Sequence, residues 1–202
     1  MRRTASVPAR INIIGEHTDL LGGMALSFPS QHRLVLSAST SSCGVSGDPI
    51  VARLWEAAGG WDAELAIHSE IPIGAGMSSS AALCVAVAMC SGNFDDEMGV
   101  SLEAQRIEHE VLGSDCGLLD QIAITHSTKG HATLIDFDSI SVSDFRIPSD
   151  WLFKLVDTGI RRNLRETNYN SSEVSNEARV MHTLLESDRV RERQIVTETE
   201  SD

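Results

Sequence analysis

Three hydrogen-bonding side chains fall within four residues on a glycine-flanked segment near the start of the chain. Glu16, His17 and Asp19 follow an apolar run and lie between Gly15 and the pair Gly22-Gly23. Carboxylates accept hydrogen bonds from hydroxyl groups, and an imidazole donates or accepts them. The pattern therefore fits a polyhydroxylated ligand better than an apolar one. The alternative is an ordinary polar turn after a strand.

A second segment has the composition of an anion-binding loop that needs no lysine. Gly74 and Gly76 allow backbone conformations that other residues resist. Ser78, Ser79 and Ser80 then lead into an alanine-rich run. We expect the serines to cap a helix and, with its free N–H groups, to present donors to a phosphate. A glycine-rich turn with a serine cap and no ligand is the alternative.

Two acidic residues are candidates for further chemistry. Asp120 lies in an otherwise apolar stretch that begins at Leu118, so it is either exposed to solvent or functional. Glu108, on the preceding predicted helix, is a candidate Mg²⁺ ligand because Mg²⁺ prefers carboxylate oxygens. Taken singly, an acid in such a position is more often a solvated charge than a functional group.

Hydrophobic spacing predicts the elements that must position these segments. The predicted strands cover residues 5–14, 34–39, 51–54, 64–68, 132–137 and 152–157. The predicted helices cover residues 78–90, 101–112 and 116–126, and a polar stretch with helical spacing starts at 171, fades after 190 and ends frayed. Strands first, followed by mixed strands and helices, predict an α+β domain.

The composition excludes several classes of protein. The chain has 202 residues, of which 42% are hydrophobic, enough for one sizeable core. Its 16 Lys and Arg against 29 Asp and Glu give a net charge of −13, which argues against a basic nucleic-acid binder. No apolar run approaches the roughly 20 residues that cross a bilayer. Arg10 and Asn12 interrupt the apolar run after the basic start, so we expect no signal peptide.

The cysteines and lysines argue against a structural zinc site and a P-loop nucleotide site. The four cysteines form no C-x-x-C pair, so we expect a reduced, cytoplasmic compartment and no structural zinc site. Lys129 and Lys154 are the only lysines, and neither follows a glycine as the lysine of a P-loop does. The H-R-D and D-F-G motifs of protein kinases are also missing. Nucleotide phosphates would therefore be held largely by backbone N–H groups.

Taken together, the three segments resemble the GHMP small-molecule kinases, and among them most the galactokinases. Arg10–Asp19 with Gly22-Gly23 resembles the galactokinase signature, and Pro72–Ala82 resembles the ATP-binding motif of the family. Cys116–Gln121 (C-G-L-L-D-Q) resembles the family's C-G-I-M-D-Q, and Thr158–Tyr169 weakly resembles the stretch that ends in a sugar-contacting tyrosine. The resemblance runs in family order from about residue 7 to 170.

The resemblance implies a role for each matching residue. Asp120 would be the catalytic base at the anomeric hydroxyl of a sugar, and Arg10 beside it would keep the carboxylate ionised. The sugar would be held by Glu16, His17, Asp19, Gly117 and Tyr169. ATP would lie against Gly74, Gly76, Ser78, Ser79 and Ser80, and Mg²⁺ would be held by Ser79 and Glu108. The substrate would be galactose or a related hexose.

The resemblance also implies a fold and a domain organisation. Residues 1–170 would form the N-terminal lobe of a GHMP kinase, which resembles ribosomal protein S5 domain 2, with a mixed sheet packed against helices. Residues 171–202 would begin a truncated, helical C-terminal region. The glycine-rich third motif of the family has no counterpart, because no glycine follows Gly159. Trp55 and Trp61 lie between the first two motifs, where we expect them to pack in the core.

Three functional hypotheses remain open at this point. The chain is an ATP-dependent sugar 1-kinase, a catalytically incomplete fragment of one, or a non-catalytic sugar sensor that acts through a partner. A homodimer that covers the face left by the missing lobe would accompany the second hypothesis. Neither a nucleic acid nor a membrane is expected as a partner.

Overall fold

The structure of the chain, a computed structural model, describes residues 1–157, 159 and 176–199. Its elements in chain order are β1 (Arg2–Ile14), β2 (Met24–Thr40), α1 (Pro49–Ala57), β3 (Ala63–Ser69), α2 (Ser79–Ser91), α3 (Glu97–Ile107), a π-helical turn (Glu108–Leu112), α4 (Leu119–Thr125), β4 (His131–Asp136), β5 (Ser141–Arg146) and α5 (Asn176–Thr199). The predicted α+β class is confirmed.

The sheet within the described residues is centred on the long strand β2, and all its strand pairs are antiparallel, so the expectation of a mixed sheet is wrong. β1 pairs along one edge of β2. The other edge is shared, because the C-terminal half of β2 pairs with β3 and its N-terminal half pairs with β4, which pairs in turn with β5. The register of β1 against β2 shifts between Pro8 and Arg10 and again between Asn12 and Ile14. These irregularities bend the strand where it approaches the glycine-flanked loop.

The main hydrophobic core lies between the sheet and helices α1 to α3. α2 is buried around most of its circumference, as expected of a helix that is apolar on every side. Trp55 of α1 is fully buried, packs edge-on against Trp61 with ring centroids 4.8 Å apart, and donates a hydrogen bond from Nε1 to the Trp61 carbonyl. The predicted core role of both tryptophans is confirmed.

The strand predicted over residues 51–54 is wrong, since this segment belongs to α1. The Asp48 carboxylate accepts hydrogen bonds from the N–H groups of Ile50 and Val51, and Pro49 occupies the first turn. An acidic N-cap followed by proline is typical of a helix start. Val51, Leu54 and Trp55 are the buried residues of α1, at the spacing of one helix face.

The strand predicted over residues 152–157 is also wrong. Within the described ranges this segment has no regular structure and pairs with no strand of the sheet. Leu152 and Val156 are 93% and 74% exposed, although the ring of Phe153 packs on Phe28 at a centroid distance of 4.6 Å. The helix predicted over residues 116–126 is shorter than expected, because α4 begins at Leu119.

α5 packs against β1 and β2 with an unexpected face. The helix itself is confirmed, but Met181 and Leu185, two of the apolar positions that predicted it, are more than half exposed. Its buried residues are mainly polar: Thr183, Glu186, Ser187 and Val190. In the part of the chain that the structure describes, no helix combines the length and apolar character needed to cross a membrane.

Candidate functional site

Asp120, the second residue of α4, is held by side chains from two other segments. Nε of Arg10 donates to Oδ1 of Asp120 at 2.7 Å, and Nη2 of Arg10 lies 2.6 Å from the same oxygen. Oγ of Ser78 donates to Oδ2 at 2.6 Å. The Asp120 side chain is still 30% exposed. The carboxylate therefore has a fixed orientation and remains accessible to a ligand.

Arg10 links three segments of the chain. It follows the first register shift of β1, and besides contacting Asp120 it donates from Nη1 to the Gly76 carbonyl at 3.2 Å. Its side chain is only 14% exposed, so the positive charge is largely withdrawn from water and directed at its partners. The arginine thus fixes the glycine-rich loop next to Asp120.

Ser78 has a different role from the one predicted for it. It precedes α2 with a φ of 56°, and its side chain makes no capping hydrogen bond. The prediction that Ser78 caps the helix is therefore wrong: its hydroxyl is directed to Asp120 instead. A non-glycine residue in the left-handed region costs about 1–2 kcal/mol. The fold holds Ser78 there, and strain of this kind often marks a functional position.

The rest of the serine and glycine loop is partly or fully exposed to solvent, apart from the buried Met77. Gly74 and Gly76 have φ angles of 71° and 76°, which suit glycine, and the space where a Cβ of Gly76 would lie is empty. Ser79 and Ser80 are partly exposed in the first turn of α2. The first N–H groups of an α-helix lack partners within the helix. They can accommodate an anion at this end of α2.

Glu108 is a buried carboxylate at the start of the π-helical turn. It is 2% exposed, accepts a hydrogen bond from Nε2 of Gln121 at 2.7 Å, and is also hydrogen-bonded to the Ser80 side chain. Burial raises the pKa of Glu108, and the nearby charge of Asp120 raises it further, whereas the bonds from Ser80 and Gln121 lower it. π-helical turns of this kind are frequent at functional sites.

The oxygens around Glu108 fit a small, hard cation. Oε1 of Gln121 is buried without a hydrogen-bond partner among the described residues, and it belongs to the amide that bonds Glu108. Carboxylate, hydroxyl and amide oxygens are the donors that Mg²⁺ prefers. The serine bonded to Glu108 is Ser80. Ser79, which was predicted together with Glu108 as a ligand, is the residue before Ser80 in α2.

Asp19 lies against the segment that leads into α4. Its Oδ2 accepts a hydrogen bond from the Leu119 N–H at 3.1 Å. A Cβ at Gly117 would come within 2.0 Å of the same oxygen, so any other residue there would displace the Asp19 side chain. Burial raises the pKa of Asp19, and the charge of Asp120 acts in the same direction. The two carboxylates are thus close enough to interact.

The other two predicted residues of the loop differ in their surroundings. His17 has a φ of 62°, and burial lowers its pKa against the opposing influence of Glu16 and Asp19. The Glu16 side chain is exposed, while its carbonyl accepts a hydrogen bond from Nε2 of His182 at 2.8 Å. Tyr169 lies outside the described residues.

Three consecutive residues of α4 connect the three predicted segments. The N–H of Leu119 bonds the Asp19 loop, Asp120 bonds Arg10 and Ser78, and Gln121 bonds Glu108. These bonds join Arg10, Asp19, Ser78 and Glu108 to one turn of α4. The arrangement places a fixed carboxylate between a loop suited to hydroxyl groups and a helix end suited to an anion.

Sequence reasoning missed three kinds of residue here. Gln121 belongs to the C-G-L-L-D-Q segment, but its type and position gave it no role of its own. Thr18 is fully buried and donates a hydrogen bond from Oγ1 to the Gly15 carbonyl at 3.0 Å. The sequence gives no signal of this contact, because Thr18 is a single polar residue in a polar loop. The residues of α5 that contact the loop are polar and far away in sequence, so only the fold reveals them.

Comparisons with known proteins decide the family. Residues 48–128 match the family model for the GHMP kinases N terminal domain, and residues 2–40 match the galactokinase galactose-binding signature. The chain belongs to the GHMP kinase family. Both matches cover the segments that meet at α4, since the first contains Ser78 and Asp120 and the second contains Arg10 and Asp19.

Relatives of this GHMP kinase chain include galactokinases. The galactokinase of Chloroflexus aggregans is 34% identical, and that of Chloroflexus aurantiacus is 31% identical. Each alignment covers 83% of this chain and 52% of the relative. The chain thus spans about half the length of the curated relatives it matches.

Solved structures agree on the fold. The Lactococcus lactis galactokinase complexed with galactose superposes with a TM-score of 0.78 at 21% identity, covering 98% of this chain and 70% of that one. A mevalonate kinase from methicillin-resistant Staphylococcus aureus superposes with a TM-score of 0.53 at 19% identity, covering 73% and 56% of the two chains. The expected GHMP kinase architecture is confirmed.

Proposed function

We propose that this chain takes part in the ATP-dependent phosphorylation of the anomeric C1 hydroxyl of galactose or a related hexose. The observation that carries the proposal is the position of Asp120, held by Arg10 and Ser78 between the Asp19 loop and the start of α2. The galactokinase relatives support the substrate class.

Asp120 is proposed as the general base. A carboxylate oxygen accepts the proton of the C1 hydroxyl while the hydroxyl oxygen bonds to the γ-phosphorus and the bond from that phosphorus to the leaving ADP breaks. Loss of the proton makes the hydroxyl a better nucleophile. Arg10 orients the carboxylate and balances its charge. Ser78 holds the second oxygen and prevents the carboxylate from rotating. The proton-accepting group is thus oriented before the sugar arrives, which lowers the cost of alignment.

The residues of the Asp19 loop are proposed to bind the sugar. Asp19 accepts hydrogen bonds from sugar hydroxyl groups through the oxygen that Leu119 leaves available, and His17 and Glu16 add further polar contacts. Gly117 allows Asp19 to approach α4. Tyr169 remains a predicted contact of the sugar.

The serine and glycine loop is proposed to bind the nucleotide. Gly74, Gly76 and the serines at residues 78–80 would surround the phosphates, and Ser79 and Glu108 would hold Mg²⁺. When bound, MgATP supplies the transferred phosphoryl group and neutralises part of its charge. The chain contributes the helix N–H groups and the orientation of the loop.

The proposed compartment is the cytoplasm. All four cysteines are free, and two of them, Cys84 and Cys90, are buried. Burial raises the pKa of both thiols, which keeps them protonated and unreactive. Free, buried thiols are consistent with a reducing environment.

Two measurements on the chain test the proposed function. Isothermal titration should show that galactose or another hexose binds, and a coupled assay should detect ADP release that depends on the sugar. Sugar binding without sugar-dependent ADP release would reassign the chain to a binding role. The absence of both across a panel of hexoses would refute the proposal.

A further inference from the structure

We propose that α5 positions the loop that contains His17 and Asp19, and that it thereby sets the affinity for sugar. The contacts are made by His182, Glu186 and Ser187, which we call the clasp. The inference rests on the proposed sugar-binding role of the loop. It assigns Glu186 as a positioning residue, since its carboxylate acts through the loop backbone.

The clasp holds both ends of the loop. At its start, Oε2 of Glu186 accepts a hydrogen bond from the Gly15 N–H at 3.2 Å. One residue later, Nε2 of His182 donates to the Glu16 carbonyl at 2.8 Å. At its end, Oγ of Ser187 accepts from the Met24 N–H at 3.1 Å. Three hydrogen bonds to the main chain thus fix where the loop leaves β1 and where it enters β2.

The packing at the clasp leaves little freedom for another arrangement. Glu186 and Ser187 are 9% and 3% exposed, although α5 exposes apolar residues on its other side. A Cβ at Gly23 would lie 2.7 Å from Cγ2 of Thr183 and 2.8 Å from Oγ of Ser187. Burying a charged carboxylate is costly unless it is hydrogen-bonded. The Gly15 N–H and the ion pair with Arg189 meet that requirement.

The clasped residues are directly linked to the proposed sugar contacts. Gly15 has a φ of 90°, and its carbonyl accepts the hydrogen bond from Thr18, one residue before Asp19. Asp19 in turn bonds the Leu119 N–H next to Asp120. Without the hydrogen bond from the Gly15 N–H to Glu186, the start of the loop can move away from α5, and Asp19 can no longer keep its position against α4.

The first test compares substitutions on the two sides of α5. We expect Glu186→Ala to weaken hexose binding about tenfold in isothermal titration, because a charge-assisted hydrogen bond is lost. Glu186→Gln, which keeps an acceptor oxygen, should restore most of the affinity. Asp188→Ala is the matched control, since Asp188 is exposed and bonds Arg191 of the same helix. Equal affinities for Glu186→Ala and the control would overturn the proposal.

The second test does not depend on sugar. Amide hydrogen exchange at Gly15 should become about tenfold faster in Glu186→Ala and stay unchanged in Asp188→Ala. Unchanged exchange at Gly15 in a folded Glu186→Ala protein would refute the clasp. If the exchange changes as expected but no hexose binds to the unsubstituted chain, the clasp stands as a structural feature, while the proposed function and the inferred effect on sugar affinity both fail. Thermal unfolding followed by circular dichroism shows that each variant is folded.

Discussion

Oγ of Ser78 lies 2.6 Å from Oδ2 of Asp120, although Ser78 precedes a helix that its side chain could have capped. The hydroxyl contributes to the site at the expense of the helix end, and the residue adopts a φ of 56° to do so. The contact joins the serine and glycine loop to the proposed base. Substitutions at Asp120 and at Ser78 can therefore test the proposed base and the loop separately.

Replacing Asp120 by asparagine removes the charge and retains the shape of the side chain. We expect Asp120→Asn to lower sugar-dependent ADP release about a thousandfold, because the amide cannot accept the hydroxyl proton. The dissociation constant for sugar should change by less than about threefold, because the amide still makes hydrogen bonds. Asp150→Asn, at an exposed aspartate, is the control. Parallel losses of binding and turnover would contradict the role of base.

Two substitutions at Ser78 separate its hydroxyl from its backbone conformation. Ser78→Ala and Ser78→Gly both remove the contact to Asp120, so both should lower turnover to the same extent. Glycine tolerates a positive φ, so Ser78→Gly should be about 0.5–1 kcal/mol more stable than Ser78→Ala in urea unfolding. A glycine variant with unimpaired turnover would show that the hydroxyl contact has no catalytic importance.

The sequence predicted which segments would meet, but not how they are joined. Arg10, Asp19 and Asp120 are identifiable from residue type and from the resemblance, and the fold links them through α4. The orientation of Ser78 was not predictable, because a positive φ at a serine depends on tertiary contacts that a local pattern does not contain. Local rules favour a cap at that position, whereas the structure has none, and departures from local rules are expected at functional sites.

The errors in the fold have identifiable physical causes. Apolar content alone favours a strand at residues 51–54, whereas the Asp48-Pro49 pair already indicates a helix start. In α5 the apolar spacing predicts the helix correctly and its buried face incorrectly. The buried face contains Glu186 and Ser187, which lie there because the main chain of the loop supplies their partners. Such partners are distant in sequence and leave no periodic signal.

Gly117 offers a steric test of the Asp19 position. In Gly117→Ala the new methyl group would overlap Oδ2 of Asp19 at 2.0 Å, so Asp19 must move and sugar affinity should fall at least about tenfold. Gly99→Ala is the control, because the new Cβ would come no closer than 3.3 Å to Asp96. Gly99 lies in α3, and in a helix alanine is more favourable than glycine by about 1 kcal/mol. Titration with the hexose measures both. Unchanged affinity in Gly117→Ala would show that the Asp19 position is unimportant for sugar binding.

Glu108 should make stability fall as the pH rises. Burial raises its pKa in the folded chain above the ordinary 4.5, so the folded state binds this proton more tightly than the unfolded state. Its stabilising contribution is complete below pH 4.5 and is lost as the pH rises through the folded-state pKa. The side chain in Glu108→Gln stays neutral at every pH. The free energy of unfolding of this variant should therefore rise relative to that of the unsubstituted chain as the pH increases from about 4.5 to about 7. Urea unfolding of both, with the exposed Glu70→Gln as the control, measures the difference. A difference that is constant across this range would show that the buried carboxyl is not the cause.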